Sequence, residues 1–218
     1  IVENKKNSNL SFFHYNLKLW LMIIKNLLNS IRIGGSAGKT LLFIWVKNDL
    51  KKIQSKVSAD LAGGSMLNKK FFSTDKYICV DIDQSKLDRG KIKNPDAIII
   101  NSKIQNYMKE NYQQKIDLLL CVQTMGTNEF FEHDETLQTI KHMYYFLKKE
   151  GSMIFNVGTY NTNLDQLENQ INEFLKEKFE TINIKAYGAF HNTSENEVHW
   201  LNRLFLAYLM NFFTPLRT

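Results

Sequence analysis

Five short apolar runs, KVSADLA, KYICVDI, DAIIIN, KIDLLLCV and GSMIFNV, follow one another between residues 56 and 157, most of them separated by segments long enough for a helix. Near-continuous apolar strands joined by helical crossovers have few ways to bury their surface. The pattern predicts a parallel sheet covered on both faces. Two crossovers carry helical periodicity. Leu137, Ile140, Tyr144 and Leu147 share one face, with Lys148, Lys149 and Gly151 read as the stop; Leu164, Leu167, Ile171, Phe174 and Leu175 share another, opened by Thr162 or Asn163. ETINIKAYG is read as a sixth strand, and no final antiparallel strand is evident after it.

The segment before these runs reads differently. Leu10, Phe13, Leu17, Leu21, Ile24, Leu28 and Ile31 recur at helical spacing, opposite Lys18, Lys25 and Asn29, and lead into GGSAGKT. That stretch looks like a phosphate cradle, but a phosphate loop needs a glycine five positions before the glycine that precedes its lysine. Position 33 is Ile33, and Gly34 lies only four before Gly38. A helix also feeds the stretch, where the loop requires a strand. GGSAGKT is therefore read as a helix cap and linker.

The 218 residues suit one domain with a small appendage: a helical cap over 1–55, an α/β core over 56–188 and a C-terminal extension of helix or strand over 189–218. The 44% hydrophobic and 23% charged fractions are those of an ordered globular chain. A net charge of +6 favours anionic partners, but the lysines are scattered, which points to a solvated surface more than to a nucleic-acid face. Cys79 and Cys121 sit inside apolar runs, as buried reduced thiols of a cytoplasmic protein do, and no Cys/His spacing suggests a metal. LWLMII, LLFIWV and LFLAYLM are too short for a transmembrane span. No signal peptide or internal repeat is evident, and the start at Ile1 without Met is read as the mark of a fragment. The oligomeric state is not legible.

In an open parallel sheet, ligands bind beyond the carboxyl ends of the strands, beside the first strand where the strand order reverses. The turn there is Gly63-Gly64-Ser65. Asp81 stands 21 residues beyond Asp60, at the end of the second apolar run. A carboxylate at that point accepts hydrogen bonds from a ribose diol.

VSADLAGGSM, YICVDIDQSKL, KIDLLLCVQTMG and LKKEGSMIFNVG, in that order, resemble motifs of the class I S-adenosylmethionine-dependent methyltransferases over roughly residues 50 to 185. The resemblance implies a Rossmann-like, doubly wound, mostly parallel sheet with helices on both faces and an N-terminal helical cap. It implies S-adenosylmethionine as cofactor: Asp60 and Gly64 bordering its methionine part, with Ala62 and Gly63 in the same cofactor-binding turn, Asp81 on the ribose, Ile82 against the adenine, Asn101 or Ser102 near the adenine amine, and Gln123 and Thr124 facing cofactor and acceptor. Ala62 and Met66 stand where typical members carry glycines, and neither Asn101 nor Ser102 is acidic. The glycine spacing of a nicotinamide-cofactor fingerprint is missing from AGGSML.

Transfer from a sulfonium needs chiefly alignment of acceptor and methyl. QTMGTN replaces the Asn-Pro-Pro-aromatic run of the related enzymes that methylate base nitrogens, and Cys121 lies within a strand where a cytosine methylase's nucleophile would lie beyond it. A small-molecule or saccharide hydroxyl is the acceptor that remains, with no catalytic residue assigned. His133, His191 and His199 are read as surface or packing histidines. Trp200, Leu201, Leu204, Phe205, Tyr208 and Phe212 form a helical packing stripe, with the N-terminal helix expected to frame the acceptor pocket and an interfacial membrane helix the lesser reading. The alternative function is a catalytically silent binding or scaffold module of the same fold.

Overall fold

The computed structural model of the chain describes residues 37–110, 115–125, 133–158, 164–185, 205–208 and 216–217. It divides into two compact units, one of Ile1–Trp45 and Tyr187–Phe213, the other of Val46–Ala186 and Thr214–Thr218. The second unit carries the sheet.

Helix α1 (Ala37–Leu50) leads to β1 (Gln54–Leu61), β2 (Ser73–Asp81), α2 (Gln84–Lys93), β3 (Ile98–Asn101), α3 (Ile104–Glu110), β4 (Ile116–Met125), α4 (His133–Phe146), β5 (Leu147–Val157), α5 (Leu164–Lys178), β6 (Ile184–Lys185) and β7 (Leu216–Arg217). The five apolar runs are strands β1 to β5, all parallel, in the order β3-β2-β1-β4-β5. The order reverses between β1 and β4, and in open sheets of this kind that is where a ligand crevice lies, beyond the strand tips.

The period of two along each strand sorts residues between the faces. Ala59, Leu61, Ile78, Val80, Leu119 and Cys121 pack with Ile104, Tyr107 and Met108 of α3, Ile140 and Met143 of α4, and Leu167 and Ile171 of α5. On the opposite face Tyr77 and Cys79 meet Met66, Ala97 and Leu87 of α2. Helices therefore cover both faces, as the doubly wound reading requires.

Four local expectations need correction. Ala37, Gly38, Lys39 and Thr40 are helical, so this half of GGSAGKT is the first turn of α1 and not a linker; residues 1–36, including the expected N-terminal helix, lie outside the described residues. Lys148, Lys149 and Gly151 do not stop a helix in a loop. The α4 helix gives way to β5 without an intervening residue, and the basic pair belongs to the strand, where Glu150 takes a left-handed conformation at φ 67° beside a register shift. Of ETINIKAYG only Ile184–Lys185 is a described strand. It pairs antiparallel with Leu216–Arg217 in a two-stranded sheet separate from the main one, so the antiparallel strand that pattern did not show is two residues long and lies outside the five-stranded sheet. No helix among the described residues is long and apolar enough to cross a membrane.

Candidate functional site

The site is built from the tips of β1, β2 and β3. The chain leaves β1 through Ala62 at φ 58°, Gly64 at φ 52° and Met66 at φ 57°, three left-handed residues at alternate positions. Only one of the three is glycine, and an L-residue in that region costs about 1 kcal/mol. The neighbours must therefore hold the turn in shape.

They do so from both sides. The Asp81 carboxylate accepts from the Gly64 N–H through Oδ2 at 2.8 Å and from the Asp83 N–H through Oδ1 at 2.9 Å. Below the turn, a β-carbon added to Gly63 would stand 2.7 Å from Cys79 Sγ and 2.8 Å from Asp60 Cγ, so no side chain fits there. The Met66 side chain is buried against Leu87 and Tyr77, which anchors the far end of the turn. On α2, Gly90 lies so close to Ser65 that a β-carbon would meet its carbonyl carbon at 2.9 Å.

Asp60 does not face the crevice. It is 1% exposed and accepts the Tyr77 hydroxyl hydrogen bond through Oδ2 at 2.7 Å. Burial, with Asp60 alongside, raises the Tyr77 phenol well above its ordinary pKa. Burial raises the Cys79 thiol too, with Asp60 and Asp81 adding to it. Asp60, Tyr77 and Cys79 therefore form a polar footing under the turn, with the phenol and thiol held neutral.

Asp81, 9% exposed, ends β2, and Ile82 beyond it is 60% exposed at the strand tip. Asn101 closes the β3 side, its Nδ2 donating to the carbonyls of Asp81 at 3.2 Å and Ile82 at 2.9 Å. The Ser102 N–H also donates to the Asp81 carbonyl, at 3.1 Å. These bonds fix the course of the chain through Asp81 and Ile82. On the other side of β1, β4 reaches Gln123, left-handed at φ 62°, whose N–H donates to Asn156 Oδ1 at 2.7 Å. Thr124, half-buried, donates to the Val122 carbonyl at 3.4 Å.

The structure thus brings Ala62, Gly63, Gly64, Asp81, Ile82, Asn101 and Ser102 to one cluster of strand tips, turns Asp60 inward, and leaves Gln123 and Thr124 on β4, the strand beyond β1. Sequence reasoning did not single out Tyr77, Gly90 and Asn156. Gly90 had a signal, a glycine inside a helix; Tyr77 and Asn156 act only through the folded register. Among the described residues no group of His, Cys, Asp and Glu could hold a metal ion. His133 begins α4, while His191 and His199 lie outside the described residues. Of the C-terminal stripe, 205–208 is helical, with Phe205 and Tyr208 exposed and Ala207 buried.

No protein-family model and no curated protein matches the sequence. Solved structures do resemble the fold. SMU.1697c of Streptococcus mutans, assigned as a methyltransferase and solved with S-adenosylhomocysteine, has a TM-score of 0.51 at 15% identity over 69% of this chain and 91% of its own. The N-methyltransferase NodS of Bradyrhizobium japonicum gives 0.52 at 9% identity over 71% of this chain and 88% of its own. A second Streptococcus mutans protein, assigned as an S-adenosylmethionine-dependent methyltransferase, gives 0.54 at 14% identity over 70% of this chain and 45% of its own. The chain has the Rossmann-like α/β fold that these methyltransferases share.

Proposed function

We propose that the chain binds S-adenosylmethionine at the tips of β1 and β2 and transfers its methyl group to a hydroxyl of a small molecule or saccharide. The observation that carries the reading is the Asp81 carboxylate lying 2.8 Å from the Gly64 N–H, across the tips of β1 and β2, beside the β1–β4 boundary where the strand order reverses.

The residues suit the nucleoside end of the cofactor. Each carboxylate oxygen of Asp81 has a second lone pair beyond the one that takes a backbone N–H, so the ribose diol can be accepted without breaking the turn. Ile82, exposed beside it, offers an apolar surface for the adenine, and Asn101 and Ser102 border that surface. Above Gly64 an added β-carbon would meet only ordinary van der Waals contacts, the nearest atoms being 3.5 and 3.7 Å away. Ala62, Gly63 and Gly64 line the path of the methionine part, with Asp60 supporting them from beneath, and Gln123 and Thr124 stand toward the acceptor. The bound cofactor supplies a sulfonium, a leaving group already activated. The chain's own part is to orient: Asp81 and the turn fix the nucleoside, and positioning supplies much of the rate. Two buried free thiols agree with a cytoplasmic setting.

A second reading keeps the nucleoside site and drops the chemistry. Both Asp81 oxygens already hold the chain's own amides, which favours a scaffold or binding module with a self-satisfied site. Calorimetric titration with S-adenosylmethionine and S-adenosylhomocysteine tests the shared part. Binding that falls at least tenfold in Asp81→Ala is expected; no heat with either ligand overturns the cofactor assignment. Formation of S-adenosylhomocysteine with a panel of hydroxylated acceptors then separates enzyme from module.

A further inference from the structure

We propose that Lys86 selects for an acidic tail on the nucleoside, an inference that rests on the nucleoside-binding reading above. Lys86 lies in the first turn of α2, directly after the strand tip that carries Asp81. Helical side chains lean toward the helix N-terminus, so a long residue here reaches back over the preceding tip and not along the helix. The side chain has that reach. Lys86 Cδ stands 3.5 Å from the point where a β-carbon on Gly64 would sit, and Asp81 Oδ2 stands 3.7 Å from the same point. The lysine stem and the carboxylate therefore both lie within van der Waals range of one point above Gly64.

The ammonium is lightly held. It pairs with Asp83 Oδ2 at 3.3 Å, between side chains 50% and 35% exposed, a class of contact that contributes little. Asp83 does not depend on it. Its Oδ1 accepts from Ser85 Oγ at 2.7 Å and from the Lys86 N–H at 3.1 Å, which caps the helix whether or not the ammonium is present. The ammonium can leave Asp83 by rotation of its outer bonds while the stem stays on Gly64.

A nucleoside whose ribose is taken by Asp81 sends its 5′ substituent over Gly64, along the Lys86 stem. A carboxylate on that substituent gains a charge-assisted hydrogen bond from the ammonium. A neutral substituent gains only contact with the methylenes. Lys86 is then a specificity-determining residue, and the tail it prefers is an amino acid's carboxylate.

The test is calorimetric titration of the full chain with S-adenosylhomocysteine and with 5′-methylthioadenosine, which keeps the adenosine and the thioether and lacks the amino-acid end. Lys86→Met keeps the stem and removes the charge. Its affinity for S-adenosylhomocysteine is expected to fall about tenfold, its affinity for methylthioadenosine to stay within twofold, and Lys86→Arg to recover most of the loss. An equal loss for both ligands, or no loss for either, overturns the assignment. Should Lys86→Met fail to fold, Lys86→Gln replaces it in the same comparison. A wild-type chain that binds neither ligand removes the nucleoside site itself, which is distinguishable from failure at Lys86 alone.

Discussion

Gly63→Ala is the sharpest probe of how the turn is held. At this position φ is not in the left-handed region, so the backbone accepts alanine, and the reduced freedom of the unfolded chain favours it by about 0.4–1 kcal/mol. Packing opposes it. The new methyl group would lie 2.7 Å from Cys79 Sγ, 2.8 Å from Asp60 Cγ and 3.0 Å from Asp60 Oδ2. Cys79 is fully buried and Asp60 1% exposed, so neither can swing out to solvent. Overpacking of this kind costs about 1–3 kcal/mol, and displacing Asp60 stretches its 2.7 Å bond from Tyr77. The two effects together leave a net loss of about 1–2 kcal/mol, or a fall in Tm of about 2–8 °C for a chain of this size. Urea unfolding followed by far-UV circular dichroism reads it as a lower midpoint with an unchanged slope. In a double-mutant cycle Cys79→Ala, which removes the nearest obstacle, is expected to recover part of the loss, because residues in direct contact couple. A Gly63→Ala chain as stable as wild type, or no coupling to Cys79, would refute the account of a turn seated on Cys79 and Asp60.

Ala62→Gly releases a left-handed alanine worth about 1 kcal/mol against a comparable gain in unfolded-chain freedom, so its unfolding free energy from urea titration should stay within about 1 kcal/mol of wild type; a larger loss would show that the methyl group packs usefully. Asp81→Asn removes one acceptor oxygen from the clasp, and native-state hydrogen exchange at the Gly64 amide should quicken about tenfold while the amides in the middle of β1 keep their protection. Asp83 is held down to about 2, chiefly by the Ser85 hydroxyl and the Lys86 amide. A depressed carboxyl stabilises the fold above its unfolded value and ceases to as pH falls toward 2. The protection of the α2 amides, measured against their intrinsic exchange rate at each pH, should therefore fall between about pH 4 and pH 2, and Asp83→Asn should lose that dependence. Cys79 and Cys121 are buried, and burial pushes Cys121 up to about 12. A disulfide reagent at pH 8 should leave both untouched in the native chain and label both in urea; rapid labelling of the native chain would contradict the packing.

The sheet was legible because its central strands β1, β2 and β4 carry runs of buried residues, while β3 and β5 at its edges are only partly covered. Runs such as LLLCV carry no polar residue to confuse their period, and α5 announces itself through Leu167, Ile171 and Leu175. Helix α2 was harder, since QSKLDRGKIK buries only Leu87 and Gly90 and draws its definition from the Asp83 cap. The region around α1 was misread because GGS invites a stop, while the helix that follows starts within the same motif at Ala37. At the site, spacing located Asp81 and the turn, and the resemblance supplied their roles. What spacing could not give is direction. Asp60 and Asp81 look alike as acids at strand ends, yet one is sealed beneath the turn by Tyr77 and the other lies above it; both take the same face of the sheet, and the difference is set by register, which pairs Asp60 with Cys79 and leaves Asp81 two residues nearer the strand tip.

The left-handed course through Ala62, Gly64 and Met66 has a bearing on how such chains are found. Its shape is imposed from outside, by a carboxylate across the crevice, a buried thiol beneath and a helix glycine pressed against Ser65, so the loop can shed its signature letters and keep its path. Distant relatives should then be sought through the pairing of a strand-end acid with a small residue in the following helix, where the constraint has moved.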